Sequence, residues 1–580
     1  MHFAEKVNWI WNLFCPRRAL LHSVMHVAGD MVVGMSKQDR RQSLVLQAGI
    51  LAASGIVVRL IGLFYNRPLV DVIGDEGFGY YDSAYAAYSI ILLISSYSIP
   101  AAVSKIMAHK LALGEYKNAF RIFKCTLAYV VVVGLAAALF VFFGAGVLVK
   151  MENAVLPLKI LAPTIFLSGI LGAFRGFFQA QRSMVQTSIS QIIEQIFNAV
   201  FSVWMAYVLV GIASGMGESI RASYGAAGST IGTGVGVLSA LIFMLLLYFY
   251  NRKNILAKVN SDTTVNVESY KTIFKMVLTV VTPFIISTGV YNINIFIDKT
   301  IYQDFLMRIK DVAESQVAFE LSAYAKANKL VNIPIALASA MATTLIPRLS
   351  GLAAVKNTEE IRKQIDKATK VTMFIAIPSA VGLAVLAKPV IQVIFPQKAS
   401  LQMAGAVMII LAVTVVLYGL STITQAVLQA IGHIYVPILN ALTALVVHAG
   451  IMMLLIKLLP AEYAIYVYGG VTILYSLILC ILNGISVRKY IGYSQEYDKT
   501  FLRPLISSLV MGAVAFLIYK GVYALTGINI AALLVSVAAG VIIYFFMCVR
   551  WKAIEESELI TLPKGKLIVK TLKKMRILRS

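Results

Sequence analysis

Apolar runs of about 20 residues recur along the whole chain, each the length that crosses a hydrocarbon core, and short polar or glycine-containing turns separate them. The runs predict about fourteen membrane-spanning helices. The first six lie near 44–66, 83–104, 125–149, 156–175, 187–211 and 225–250. The next six lie near 273–297, 322–346, 371–395, 402–430, 436–458 and 463–487, and a last pair near 504–525 and 528–550. No strand-like alternation accompanies them. A membrane β-barrel is therefore excluded, and the expected fold class is an all-α, polytopic membrane protein.

Two of the longer polar tracts carry the same pattern. PAAVSKIMAHKLALGEYKNAFRIFK, from Pro100, can be laid over MATTLIPRLSGLAAVKNTEEIRKQID, from Met341; each ends one span, runs through an amphipathic basic stretch and opens the next. QAQRSMVQT from Gln179 likewise matches QAIGHIYVP from Gln429, and both offsets are about 240–250 residues. Six spans separate equivalent elements, so the halves share one orientation. This predicts two six-helix bundles related by a pseudo-two-fold along the membrane normal, with a substrate site between them near the midplane. The expected organisation is an N-terminal extension and basic leader (1–43), a first bundle (44–250), a cytoplasmic linker (251–272), a second bundle (273–487), two additional spans (488–550) and a basic tail (551–580).

Composition agrees: 59% of the 580 residues are hydrophobic and 13% charged. A net charge of +24 raises the question of nucleic acid, but its placement answers otherwise. With both termini placed inside, about 34 Lys and Arg fall in cytoplasmic segments and about 11 in external ones, as the positive-inside rule predicts; the acids divide about evenly, which fits a rule that concerns Lys and Arg rather than net charge. A multi-pass bacterial cell-membrane protein with both termini cytoplasmic is expected, with no nucleic-acid partner. The tail PKGKLIVKTLKKMRILRS reads as a segment lying on anionic lipid. Cys15, Cys125, Cys480 and Cys548 are scattered, and His22 and His26 have helical spacing without a third ligand. Neither a metal nor a bound cofactor is expected.

Charges inside spans are few, and each has a bland reading beside the functional one. Lys326 and Lys329 lie three apart in the eighth span and share a helix face. A charge near the bilayer centre costs roughly 2.5–3.5 kcal/mol on insertion scales, so such residues usually face a water-filled cavity. Arg59 sits in the first span and could meet them across that cavity, or pair with a carboxylate or snorkel. Arg67 lies near the outer end of the same span, where snorkelling competes with an anion-binding role. Glu194 in the fifth span, Asn292 and Asp298 in the seventh and Asn332 in the eighth are candidate cavity or coupling positions, although Glu194 could simply pair with a nearby base. Arg59, Lys326 and Lys329 together suit a pyrophosphate diester, Arg by its bidentate fork and Lys as a point charge. GTGVG at 232–236 lies within a span and reads as close helix packing rather than a nucleotide loop. GDEGFG at 74–79 reads as an external turn.

The segments VRLIGLFYNRPLVDVIGDEGFGYYDSAYAAYSI, RGFFQAQRSMVQTSISQIIEQ and ANKLVNIPIALASAMATTLIPRLS resemble the MurJ-type lipid II flippases of the multidrug/oligosaccharidyl-lipid/polysaccharide exporter superfamily. The chain looks closest to the polysaccharide-biosynthesis branch that includes stage V sporulation protein B. That resemblance implies a flippase, not an enzyme, moving an undecaprenyl-pyrophosphate-linked cell-wall precursor from the inner to the outer leaflet by alternating access, with lipid II as the expected substrate and another lipid-linked polysaccharide repeat unit as the alternative. Its implied partners are a lipid-linked oligosaccharide, membrane lipid and cell-wall synthesis proteins, with energy from membrane potential, Na+ or H+. The resemblance places Arg59 at the family's first-span arginine position and Lys329 where lipid II flippases carry an eighth-span arginine; Asn332 stands where they have an acid. A cation-coupled exporter of the same superfamily is the competing expectation and would want more buried carboxylates than Glu194. A polytopic glycosyltransferase would want a carboxylate cluster, and the external tract 298–320 offers Asp298, Asp304, Asp311 and Glu314 without recognisable spacing.

Overall fold

The computed structural model describes residues 54–553 except 98, 182 and 265. The N-terminal extension, the start of the first span (44–53) and the basic tail from 554 on lie outside the described residues. All regular structure among the described residues is helical. Eleven of the helices are long and apolar enough to cross a membrane.

The first bundle opens with α1 (Ser54–Phe64) and α2 (Asn66–Leu92), nearly continuous through Tyr65. It continues with α3 (Ile99–Ala112), α4 (Tyr116–Leu148), α5 (Val155–Ala180), α6 (Val185–Ile212) and α7 (Glu218–Asn260). The second bundle comprises α8 (Tyr270–Asp304), α9 (Glu314–Ala354), α10 (Thr358–Val385), the short α11 (Ala387–Ile394), α12 (Leu401–Ala430), α13 (Tyr435–Leu458) and α14 (Ala464–Ile491). Two further helices, α15 (Arg503–Thr526) and α16 (Asn529–Arg550), pack on each other and against α10 and α11. The repeat seen in the sequence returns in the packing. α4 lies on α5 as α10 lies on α12, α5 on α7 as α12 on α14, and α6 on α7 as α13 on α14.

Several helices run past the ends that hydropathy suggests. α9 has 41 residues, about 60 Å at 1.5 Å per residue, roughly twice the hydrocarbon thickness. The tract 298–320 is thus no long loop: α8 reaches Asp304, a π-turn follows over Phe305–Ile309, and α9 begins at Glu314. Backbone hydrogen bonding continues into the interfacial layer, whereas hydropathy marks only where the apolar core stops. The connection between the bundles narrows to 261–269 for the same reason, because α7 extends to Asn260. This connection is tied to the first bundle. Asp262 accepts from the Lys117 amide at 2.7 Å, the Arg121 guanidinium donates to the Glu268 carbonyl at 2.7 Å, and Lys110 bridges Glu115 and Glu268.

The turn expected at 74–79 is one residue. Gly74 alone leaves the helix, with φ 70°, a left-handed value that glycine takes without a Cβ penalty. Gly77 and Gly79 are helical and serve contact instead: a Cβ at Gly79 would fall on the backbone of Ala318 in α9. Gly79→Ala is expected to force the bundles apart at this point. A cross-link between cysteines placed at Ser83 and Gln303, whose side chains hydrogen bond across the same seam, should form less readily in that variant than in the parent chain. Gly232 and Gly236 behave as the sequence suggests, letting α7 approach Ser202 and Glu194 of α6.

The cores show where the bundles join. One apolar cluster runs through both, including Leu69, Phe78, Tyr80 and Leu161 of the first and Tyr302, Leu321, Met373 and Val415 of the second. At the other end, where the basic tracts lie, Phe123, Phe177 and Met244 of the first bundle form a core together with Ile273, Val277 and Val281 from the start of α8, and Leu349, Ile361 and Val427 belong to a separate one in the second bundle. The molecule is closed at one end; at the basic end the cores are separate, and the start of α8 packs with the first bundle.

Candidate functional site

The seam between the bundles is built chiefly by α2 and α9. On α9, Ser322, Lys326 and Lys329 fall within about 60° of one another, and Tyr324, Asn328, Asn332 and Ser339 form an adjoining stripe within about 80°. The first stripe meets the other bundle; the second faces into the second bundle.

Lys326 is fully buried and forms an ion pair with Asp75 of α2. Its ammonium also donates to Ser400 Oγ at 2.8 Å, and Asp75 accepts from Ser322 and Ser400 at 3.2 and 3.0 Å. One turn along, Lys329 has a different environment. It donates to Asn66 Oδ1 at 2.7 Å and sits over the Phe78 and Tyr81 rings at 4.5 and 5.6 Å. All of these partners are neutral. The nearby carboxylate, Asp82, is already paired with Lys299 of α8.

Arg67 donates to the Val393 carbonyl at 3.1 Å, so it fastens the first bundle to α11 at the closed end. Gln397 and Asp71 join beside it at 2.9 Å, and the Glu152 and Asn153 amides bond Glu314 across the same end. Arg59 is exposed on α1. It precedes Asn66 by seven residues, two helical turns, and therefore lies on the face that Asn66 turns toward Lys329, roughly 10 Å closer to the basic end.

The remaining candidates separate into the two bundles. Glu194 is paired with Arg175 of α5 at 2.7 Å, and Arg175 also donates to Ser190. Asp298 is buried and lies 2.6 Å from His448 Nε2. Asn292, Asp298 and Asn332 line a cavity of about 620 Å3 walled by the second bundle alone. Sequence reasoning did not find Asn66, Asp75 as the partner of Lys326, Lys299 with Asp82, or His448. A single carboxylate near a glycine turn and a lone histidine in an apolar run carry no periodic signal; their roles come from long-range pairing.

The fold and this seam define a multi-pass membrane protein with the architecture of a two-bundle transporter. The profile described as "Polysaccharide biosynthesis protein" matches residues 44–353, and the one described as "MatE" matches residues 315–454. The first match spans more than half of the chain, which belongs to the polysaccharide biosynthesis protein family. The chain is similar to "Lipid II flippase MurJ" of Bacillus subtilis (strain 168), 24% identical over 534 residues, covering 87% of this chain and 94% of that one. It is also similar to "Stage V sporulation protein B" of the same organism, 24% identical over 543 residues, covering 91% and 100%. Among solved structures, "Lipid II flippase MurJ, inward closed conformation" superposes with a TM-score of 0.61 at 16% identity, covering 86% of this chain and 97% of that one. An inward-facing multidrug resistance MATE family transporter superposes with a TM-score of 0.57, also at 16% identity, over 81% and 98%.

Proposed function

We propose that this protein is a flippase that moves an undecaprenyl-pyrophosphate-linked saccharide from the inner to the outer leaflet by alternating access. The observation that carries this reading is Lys329, an ammonium inside a membrane helix whose contacts are an amide oxygen and two aromatic faces. A cation held only by neutral groups in a low-dielectric seam favours an incoming anion more strongly than one already neutralised by a carboxylate. Arg59, on the same side two turns nearer the basic end, adds a bidentate donor along the path. Lys326 and Arg67 are engaged by Asp75 and the Val393 carbonyl at the closed end and become available to the pyrophosphate only as that end opens. The basic end is assigned to the cytoplasm, where the positive-inside rule puts Lys and Arg. Lipid II, the molecule in the name of one relative, is the leading candidate for the carried lipid. A charged head crossing the membrane field would respond at roughly 2.3 kcal/mol per charge per 100 mV.

The test is reconstitution into vesicles with fluorescent polyprenyl-pyrophosphate saccharides, scoring the probe that becomes accessible to an impermeant quencher. Transport of these lipids supports the reading. Export of organic cations with no movement of the lipids would replace it with that of a cation-coupled exporter. In the same assay Arg59→Ala is expected to lower the rate about tenfold, and Arg59→Lys less, because lysine keeps the charge and loses only the second hydrogen bond.

A further inference from the structure

The geometry points to the cavity of the second bundle as a subsite for the uncharged carbohydrate part of the carried head, an inference that rests on the flippase reading. The cavity measures about 620 Å3, within the range of roughly 300–1,000 Å3 that small-molecule sites occupy. Of its lining residues Asp298 alone bears a formal charge, and its carboxylate is turned to His448. No lysine or arginine lines it among the described residues. An acidic sugar or a further phosphate would therefore enter without a counter-charge and beside a carboxylate.

What the walls offer instead is amide and ring. Asn328, Asn332 and Gln425 line the cavity, and among the described residues none of the three makes a side-chain hydrogen bond within the protein. Each amide presents two donors and a two-lone-pair acceptor, the mixed set that hydroxyl groups require and that a simple anion site does not. Tyr291 and Tyr418, both half-buried, line the same cavity beside the free amides, whereas Tyr324 and Tyr468 are buried face to face on each other at 4.1 Å between ring centroids. α9 connects the two environments. Asn332 lies three residues from Lys329 on the adjoining stripe, so the amides of the neutral cavity begin one turn from the phosphate position along the same helix. The cationic seam would read the phosphate, and the amide cavity would read what hangs from it.

The experiment measures binding to the purified full-length chain in lipid nanodiscs, using three short-chain polyprenyl pyrophosphates. One is bare, one carries a neutral N-acetylated disaccharide, and one carries a disaccharide of the same size with a uronic acid. The neutral head is expected to bind at least about tenfold more tightly than either other ligand, because a site built to hydrogen bond hydroxyls discriminates against analogues that lack or misplace them. Asn328→Leu combined with Gln425→Leu should erase that preference while leaving the bare pyrophosphate unchanged; Lys329→Ala should weaken all three together. Equal affinity of the parent chain for the three ligands would overturn the subsite, as would an undiminished preference in a double variant that remains monodisperse. If no pyrophosphate lipid binds the parent chain, the flippase reading falls and the subsite falls with it.

Discussion

Lys329→Ala should reduce flipping of a pyrophosphate-linked saccharide at least about 30-fold, with the protein still inserted and monodisperse. Removing one partner of a desolvated charge contact costs roughly 2–5 kcal/mol, and each 1.4 kcal/mol is a factor of ten. The loss should fall on function because Lys329 has no carboxylate partner to orphan: its departure leaves Asn66, Phe78 and Tyr81 neutral. Lys329→Arg should keep most of the activity. The readout is the quencher-accessible fraction in vesicles, alongside the amount of folded protein recovered. Normal transport by Lys329→Ala would remove the residue from the path.

The neighbouring lysine should behave in the opposite way. Lys326 is buried, Asp75 is largely shielded and the two are paired, so deleting either leaves an uncompensated charge and costs up to roughly 3–5 kcal/mol. That cost is borne only when this end is shut, because only then do the partners meet out of water. Lys326→Ala and Asp75→Ala are each expected to shift the population toward the state open at this end. The Ser83→Cys/Gln303→Cys cross-link would then fall several-fold. Lys326→Leu together with Asp75→Leu should restore much of it, since an apolar pair carries no desolvation term. A double variant as open as either single one would show that the pair does not hold this end closed.

The contrast between these two lysines marks where reading the sequence stops. Their placement three residues apart inside an apolar run was legible, as was the expectation that they face something other than lipid. Which of them is spent on an acid was not, because Asp75 and Asn66 lie about 250 residues away in the chain, and proximity across a seam leaves no periodicity. The repeat was legible because both halves preserve one order of span, basic stretch and span. The lengths of α8 and α9 were not, since hydropathy falls at the bilayer surface while the helical hydrogen bonds continue. Glu194 shows an intermediate case. Pairing with a base is one of the readings its sequence allows, but nothing local names Arg175, which lies 19 residues away on the preceding helix.

The short connector at 261–269 has a mechanical consequence. With Glu268 clasped by Lys110 and Arg121, and Asp262 hooked to the start of α4, the tether has no slack to give. Any rocking of one half against the other would therefore be taken up within α8, whose first turns are held in the first bundle through Ile273, Val277 and Val281.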